Sequence, residues 1–251
     1  MNGEKSMGCE GRLTTRAEKG FSLIESVISL FFFFLIVLFS LDCFIATRKH
    51  FNHLKQSETL NTAAYAALDR MRRDILDAGL GLKQPMALEI VEGISQDQEE
   101  LVILSKQEEL PVMGDFVSGQ QRIPMAKARN LKIGQQICLF SSNSGEMRSI
   151  VSTTLDSIFL DSPLDSNYLQ EKTSLVLLRR LSLFFDETGG VIRRKVNTSP
   201  AQPLLEEVAS FGYEFFKDSN LVRLHLCLRM EEDKDYEATI FPKNTALFII
   251  R

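Results

Sequence analysis

Lys19-Gly20-Phe21-Ser22-Leu23-Ile24-Glu25, followed at once by the run Ser26–Leu41, decides how this chain is read. The run holds sixteen residues without a charge, and one carboxylate stands at its N-terminal end. A carboxylate in hydrocarbon costs a few kcal/mol or more, so Glu25 marks a functional position that needs a partner. The nearby basic residues Lys5, Arg12, Arg16 and Lys19 all lie upstream. A secretory signal expects a shorter apolar core, roughly 7–15 residues, ending in small residues of Ala-x-Ala type. Here the run is longer and ends in Leu41-Asp42-Cys43. A plain anchor needs roughly 20 apolar residues, which accounts for the hydrophobicity but not for Glu25 or the Gly20-Phe21 junction. No apolar segment precedes Cys9, which sets aside a lipoprotein signal there.

A short charged leader, a Gly-Phe junction and a glutamate five residues into the following chain resemble the class III signal of type IV pilins and type II secretion pseudopilins. That resemblance implies a leader over residues 1–20, cleavage between Gly20 and Phe21 by a prepilin peptidase, and N-methylation of Phe21. The one departure is Ser22, where the family more often has Thr. Cleavage would free an ammonium on Phe21, four residues from Glu25, and a carboxylate in an apolar core is tolerable when it pairs with such a charge. In pilins the pairing runs between adjacent subunits, so the resemblance makes Phe21 and Glu25 an assembly charge pair.

The chain has 251 residues and a net charge of −4. The leader carries four basic residues against the acidic Glu4, Glu10 and Glu18, so its removal leaves a charge near −5. That balance argues against nucleic-acid binding, which needs clustered Lys and Arg. The four cysteines, at 9, 43, 138 and 227, form no CxxC pair, and His50, His53 and His225 complete no metal-ligand spacing. No nucleophile elbow, phosphate loop or HExxH motif occurs. We therefore expect no catalytic site, no cofactor and no metal, and set a membrane-anchored hydrolase behind a structural role.

No proline or glycine interrupts Phe21–Ala78, so one helix of 58 residues is expected, stopped by Gly79-Leu80-Gly81. Residues 21–46 form its membrane-spanning part and 47–80 its amphipathic part. In the latter, Leu54, Leu60, Ala64, Ala67, Leu68, Met71 and Ile75 recur mostly every three or four residues, the stripe that packs on a sheet. Lys55, Glu58, Asp69, Arg70, Arg72, Arg73, Asp74 and Asp77 fall on the remaining surface, which is solvated or meets neighbouring subunits. Phe31–Phe34 admit two readings, a packing surface against other helices or lipid-facing bulk. The pair His50 and His53 reads as a solvated juxtamembrane pair.

Residues 81–251 read as a β-rich domain, giving an α+β, pilin-like fold: a long N-terminal helix packed on an antiparallel sheet. Expected strands are 87–91, 101–105, 136–141, 147–152, 157–160, 173–178, 181–185, 191–194, 210–216, 221–229, 237–240 and 246–250. In the clearest of them Val222, Leu224, Leu226 and Leu228 alternate with Arg223, His225, Cys227 and Arg229, the mark of a half-buried strand. His225 thus falls on the polar face. A short helical turn is expected over 200–207. Residues 107–130 read as a mobile loop that carries partner contacts, or equally as a solvated connection.

The segments Leu131–Gln135, Ser174–Arg180, Gly189–Arg194, Pro203–Val208 and Phe211–Phe215, together with the helix end Met71–Gly79, resemble the PilW/GspJ-type minor pilins and pseudopilins. That resemblance implies a minor subunit that primes filament assembly or sits at the tip. It would be held in the inner membrane by one span with its domain in the periplasm, and then enter a pilus or pseudopilus. Its implied partners are the prepilin peptidase, other pilins or pseudopilins, the inner-membrane assembly platform and the lipid bilayer. A type IV pilus, a type II secretion pseudopilus and a DNA-uptake pilus all stay open, as does a membrane-anchored adhesin. In a periplasmic domain a disulfide between Cys138 and Cys227 is possible.

Overall fold

The computed structural model describes residues 22–97, 99–125 and 128–246. The expected strand at 246–250 falls almost wholly outside them. The chain is α+β: one long N-terminal helix, α1 (Leu23–Leu76), and an antiparallel β-rich remainder. It divides into two compact units between Lys55 and Gln56.

The helix ends where glycine permits it. Gly79 and Gly81 adopt φ values of 69° and 72°, the left-handed region that L side chains avoid. The turn is then stitched to a strand, because Gly79 N donates to Leu104 O at 2.8 Å and Leu80 O accepts from Lys106 N at 2.9 Å. A second chain end closes over the helix terminus, where Asn244 Nδ2 donates to Leu76 O.

The larger sheet runs in the order β1 (Ile94–Asp97), β2 (Glu100–Leu110), β7 (Ser174–Asp186), β4 (Gln136–Phe140), β5 (Gly145–Thr153), β6 (Ser157–Leu160), β3 (Arg122–Pro124). On β7 it branches to β8 (Val191–Val196) and then β9 (Gln202–Leu205). A three-stranded sheet follows, β10 (Val208–Phe216), β11 (Leu221–Leu228) and β12 (Glu231–Ile240).

Strand β7 is the hub. It pairs with β2 along Leu175–Leu183, with β4 through its first half and with β8 through its second. Buried on both faces in its first half, it reads as a continuous apolar run rather than an alternation. The expected pair of strands at 173–178 and 181–185 is therefore one. The charged dipeptide Arg179-Arg180 is absorbed because each guanidinium finds a carboxylate, Arg179 on Asp74 and Asp77 and Arg180 on Asp97.

Ala64, Ala67, Leu68, Met71, Ile75 and Ala78 of the helix join Leu181, Leu183 and Ile192 of the large sheet and Val222, Leu224, Leu226 and Leu228 of the small one in one buried cluster. The stripe and the alternating strand are thus as expected, while Leu54 is exposed. Asp74 departs from expectation. It lies inside the stripe, 3% exposed, because Arg194 grips it with two hydrogen bonds of 2.7 and 2.9 Å and Arg179 stands at 3.5 Å.

Other expectations fail for local reasons. Residues 87–91 are not a strand: Leu82, Met86 and Ile90 recur at helical spacing, and the segment forms the short helix α2 (Lys83–Ala87) followed by a turn with Glu89 at φ 58°. Residues 200–207 contain a strand, β9, and no helical turn. Pro203 is tolerated there because β9 pairs only with β8. Among the described residues of 107–130, Phe116 is tied to Tyr168: each is 1% exposed, and they bridge backbone to backbone at 2.8 Å in both directions.

Replacing Asp74 with alanine strands Arg194 in a nearly dry setting and should cost about 3–5 kcal/mol. Asp69→Ala removes only the exposed pair with Arg73 and should change stability by less than about 1 kcal/mol. Thermal unfolding of the full chain in detergent micelles separates the two, and equal effects would contradict the anchoring role of Asp74.

Candidate functional site

Helix α1 begins where the local chemistry favours a start. Ser22 O accepts from Ser26 N at 3.1 Å, and Glu25 Oε2 accepts from Ser22 N at 2.9 Å. Glu25 is thus the returning half of a capping box, three residues inside the helix and satisfying a backbone donor that no helical carbonyl reaches. The Ser-x-x-Glu spacing is visible in the sequence as a helix start and escapes notice when Glu25 is read only as an intramembrane charge. Gly20 and Phe21, the expected cleavage and methylation positions, lie outside the described residues.

Beyond Glu25 the helix exposes apolar surface on all sides. Leu23, Ile24, Val27, Ile28, Leu30 and Phe31–Phe34 are all at least half exposed. By length and composition α1 can cross a membrane. Two of its hydroxyls suit that role, since Ser40 Oγ and Thr47 Oγ1 donate to Ile36 O and Cys43 O at 2.7 Å. At about 1.5 Å per residue the uncharged run between Glu25 and Asp42 rises about 24 Å, close to the roughly 30 Å of a hydrocarbon core. In a helix crossing the bilayer, both carboxylates would stand near the edges of that core, where solvation costs less. The Phe31–Phe34 rings contact one another only as edge-on neighbours, 5.9 and 6.0 Å apart.

The β-rich region holds ionic clusters, and each does structural work. Glu146, buried, accepts from Asp165 N at 3.0 and 3.2 Å and pairs with Arg148 at 2.5 Å, which also reaches Asp165. This fastens the 161–168 connection to β5. The hydroxyl of the buried Tyr168 is held well above its usual pKa, by burial first and then by its hydrogen bond to Glu146. His225, on the outer face of β11, lies 3.2 Å from Glu237 with its side chain 40% exposed. Among the described residues no group of three or more His, Cys, Asp or Glu could hold a metal ion. His50 and His53 are exposed one turn apart on the helix.

No disulfide joins Cys138 and Cys227. Cys138 lies in β4 within the cluster of Leu82, Met86, Val102 and Val176, whereas Cys227 lies on β11, facing away from the buried side of the three-stranded sheet. Burial pushes the Cys138 thiol up to about 12.

No protein-family model matches the chain, and no curated protein matches it. Among solved structures, similarity of limited extent is found with three phage tailspikes. Tailspike gp49 of Pseudomonas phage LKA1 shows 18% identity and a TM-score of 0.25, with 28% of this chain and 14% of that one covered. Tailspike Gp54 of Acinetobacter baumannii bacteriophage AP22, solved with a capsular saccharide, shows 15% identity and a TM-score of 0.27 over 31% and 15%. Tailspike gp61 of Pseudomonas phage phi297 shows 17% identity and a TM-score of 0.25 over 30% and 14%. The chain spans about a seventh of each tailspike, and likenesses this slight carry no argument about its fold or function.

The Cys138 thiol stays neutral in the folded chain from its ordinary value of 9.0 up to about 12. Stability is therefore fully present below about pH 9 and falls as pH rises toward 12, because only the unfolded chain ionises in that window. The thermal midpoint should decline above pH 9, and less steeply in Cys138→Ala. At pH 8, iodoacetamide should modify the exposed Cys43 and spare Cys138 until the chain is unfolded.

Proposed function

We propose that this chain is a minor pilin or pseudopilin, cleaved after Gly20 and assembled into a filament through the pairing of the Phe21 amine with Glu25. The observation that carries the reading is the junction itself: a helix-initiating glutamate placed five residues after Gly20, at the mouth of a sixteen-residue uncharged run. What supports it further is the architecture, one apolar helix long enough for a membrane joined to an antiparallel β-rich region. Within the second unit, the helix stripe shares one buried cluster with both sheets.

In this account the prepilin sits in the inner membrane with its domain in the periplasm. A prepilin peptidase hydrolyses the Gly20–Phe21 bond, and the new amine is N-methylated. The ammonium and Glu25 neutralise one another across neighbouring subunits, which lowers the cost of holding either charge among apolar helices. The role is structural rather than enzymatic: priming assembly or occupying the tip, in a type IV pilus or a type II secretion pseudopilus.

Two substitutions separate the charge of Glu25 from its capping bond. Glu25→Gln keeps an acceptor for Ser22 N–H, since glutamine also serves at this position of a capping box, but removes the charge. Glu25→Val removes both. Both variants should stay in the inner membrane and enter filaments at least tenfold less than the parent chain, measured by immunoblot of sheared filaments. Normal incorporation of Glu25→Gln would show that the capping bond, not the charge, is what assembly needs.

A further inference from the structure

Residues 43–57 of α1 include Arg48, Lys49, His50, His53 and Lys55 and no Asp or Glu, in a chain whose net charge is −4. All five basic side chains are exposed, as are the interleaved Phe44, Ile45, Phe51 and Leu54. Side chains that meet along a helix are three or four residues apart, so neither Arg48 nor Lys49 has a carboxylate within reach along α1. Further on, the same helix pairs its cations: Arg70 lies 3.7 Å from Asp74 and Arg73 3.0 Å from Asp69.

Position along the helix singles out Arg48, Lys49 and His50. Because α1 is continuous from Leu23 to Leu76, sequence distance from Glu25 converts to depth. At about 1.5 Å per residue, a hydrocarbon core of roughly 30 Å that begins at Glu25 ends near Ile45. Arg48, Lys49 and His50 then follow about 4–8 Å beyond it, within the layer of roughly 5–8 Å that headgroups occupy. Side chains lean toward the helix N-terminus, which turns the two long cations back toward that boundary. Three consecutive residues also turn through about 200°. They ring the helix, whereas an acidic protein partner would meet cations gathered on one face.

We propose that Arg48, Lys49 and His50 form a collar that binds the phosphodiester groups of anionic lipids at the C-terminal end of the span. The proposal rests on the reading of residues 21–46 as a membrane span. A lipid phosphate accepts charge-assisted hydrogen bonds from a guanidinium and an ammonium, and the exposed Phe44 and Ile45 offer its acyl chains an apolar wall. Binding there fixes the depth at which the helix sits.

The test reconstitutes the full-length chain in phosphatidylcholine vesicles that carry a trace of spin-labelled phosphatidylglycerol or spin-labelled phosphatidylcholine. Electron paramagnetic resonance reads the motionally restricted fraction of each. Phosphatidylglycerol should be favoured about fivefold, the preference that one cation at a membrane surface supplies. Arg48→Gln with Lys49→Gln, which keeps good helix formers, should lose most of that preference. Arg72→Gln with Lys132→Gln, which removes the same charge from exposed positions in the second unit, should keep it. No preference in the parent chain, an undiminished preference in the collar variant, or an equal loss in both variants would overturn the proposal. An undiminished preference would move the binding to the leader cations Lys5, Arg12, Arg16 and Lys19. Alkaline carbonate separates the collar from the reading beneath it. A chain that carbonate extracts from the vesicles does not span them, and both fail; a resistant chain without the preference contradicts the collar alone.

Discussion

One narrow stripe, from Ala64 through the end of α1 to Ala78 in the turn after it, is buried in one cluster with both sheets and carries Asp74 inside it. The faces that Leu181, Leu183 and Ile192 and that Val222, Leu224 and Leu226 present join it in that cluster. Burying side chains such as Met71 and Ile75 contributes about 1.5–3 kcal/mol each, but burial alone does not fix how the helix is rotated or shifted. Asp74 does, because its carboxylate is satisfied only where Arg194 meets both oxygens. A buried ion pair adds little net stability compared with apolar packing, yet it strongly disfavours any register that leaves one charge unpaired.

That constraint links the two ends of the functional account. The segment that begins at Ser22 is apolar, exposed and capped by its own glutamate. The region from Gln56 onward anchors the later turns of the same helix through Asp74, the Gly79 turn and the Asn244 bond to Leu76. The clusters around Glu146 and His225 are accounted for by loop fastening and by an exposed cross-strand pair.

Much of this was legible in the sequence for identifiable reasons. The helix and its stop follow from the absence of Gly and Pro before Gly79, and β11 follows from strict alternation. The failures share another cause: their determinants are not local. Arg179-Arg180 looks like a strand break until Asp74, more than a hundred residues earlier, and Asp97 are brought alongside. Asp74 looks solvated until Arg194 closes on it. Pro203 looks like a strand terminator until β9 proves to be paired only on one edge. At the candidate site, Glu25 was legible as an anomaly, but its bond to Ser22 required attention to capping rather than to membrane cost.

The central claim is covalent and can be measured directly. Intact mass spectrometry and N-terminal sequencing of the chain, recovered from membranes of cells expressing a prepilin peptidase, report where it begins. The account predicts a chain starting at Phe21 and carrying one additional methyl group on its amine, with the Met1-initiated form accumulating only when the peptidase is inactivated. A chain that keeps residues 1–20 beside an active peptidase, or begins at any other residue, would contradict it.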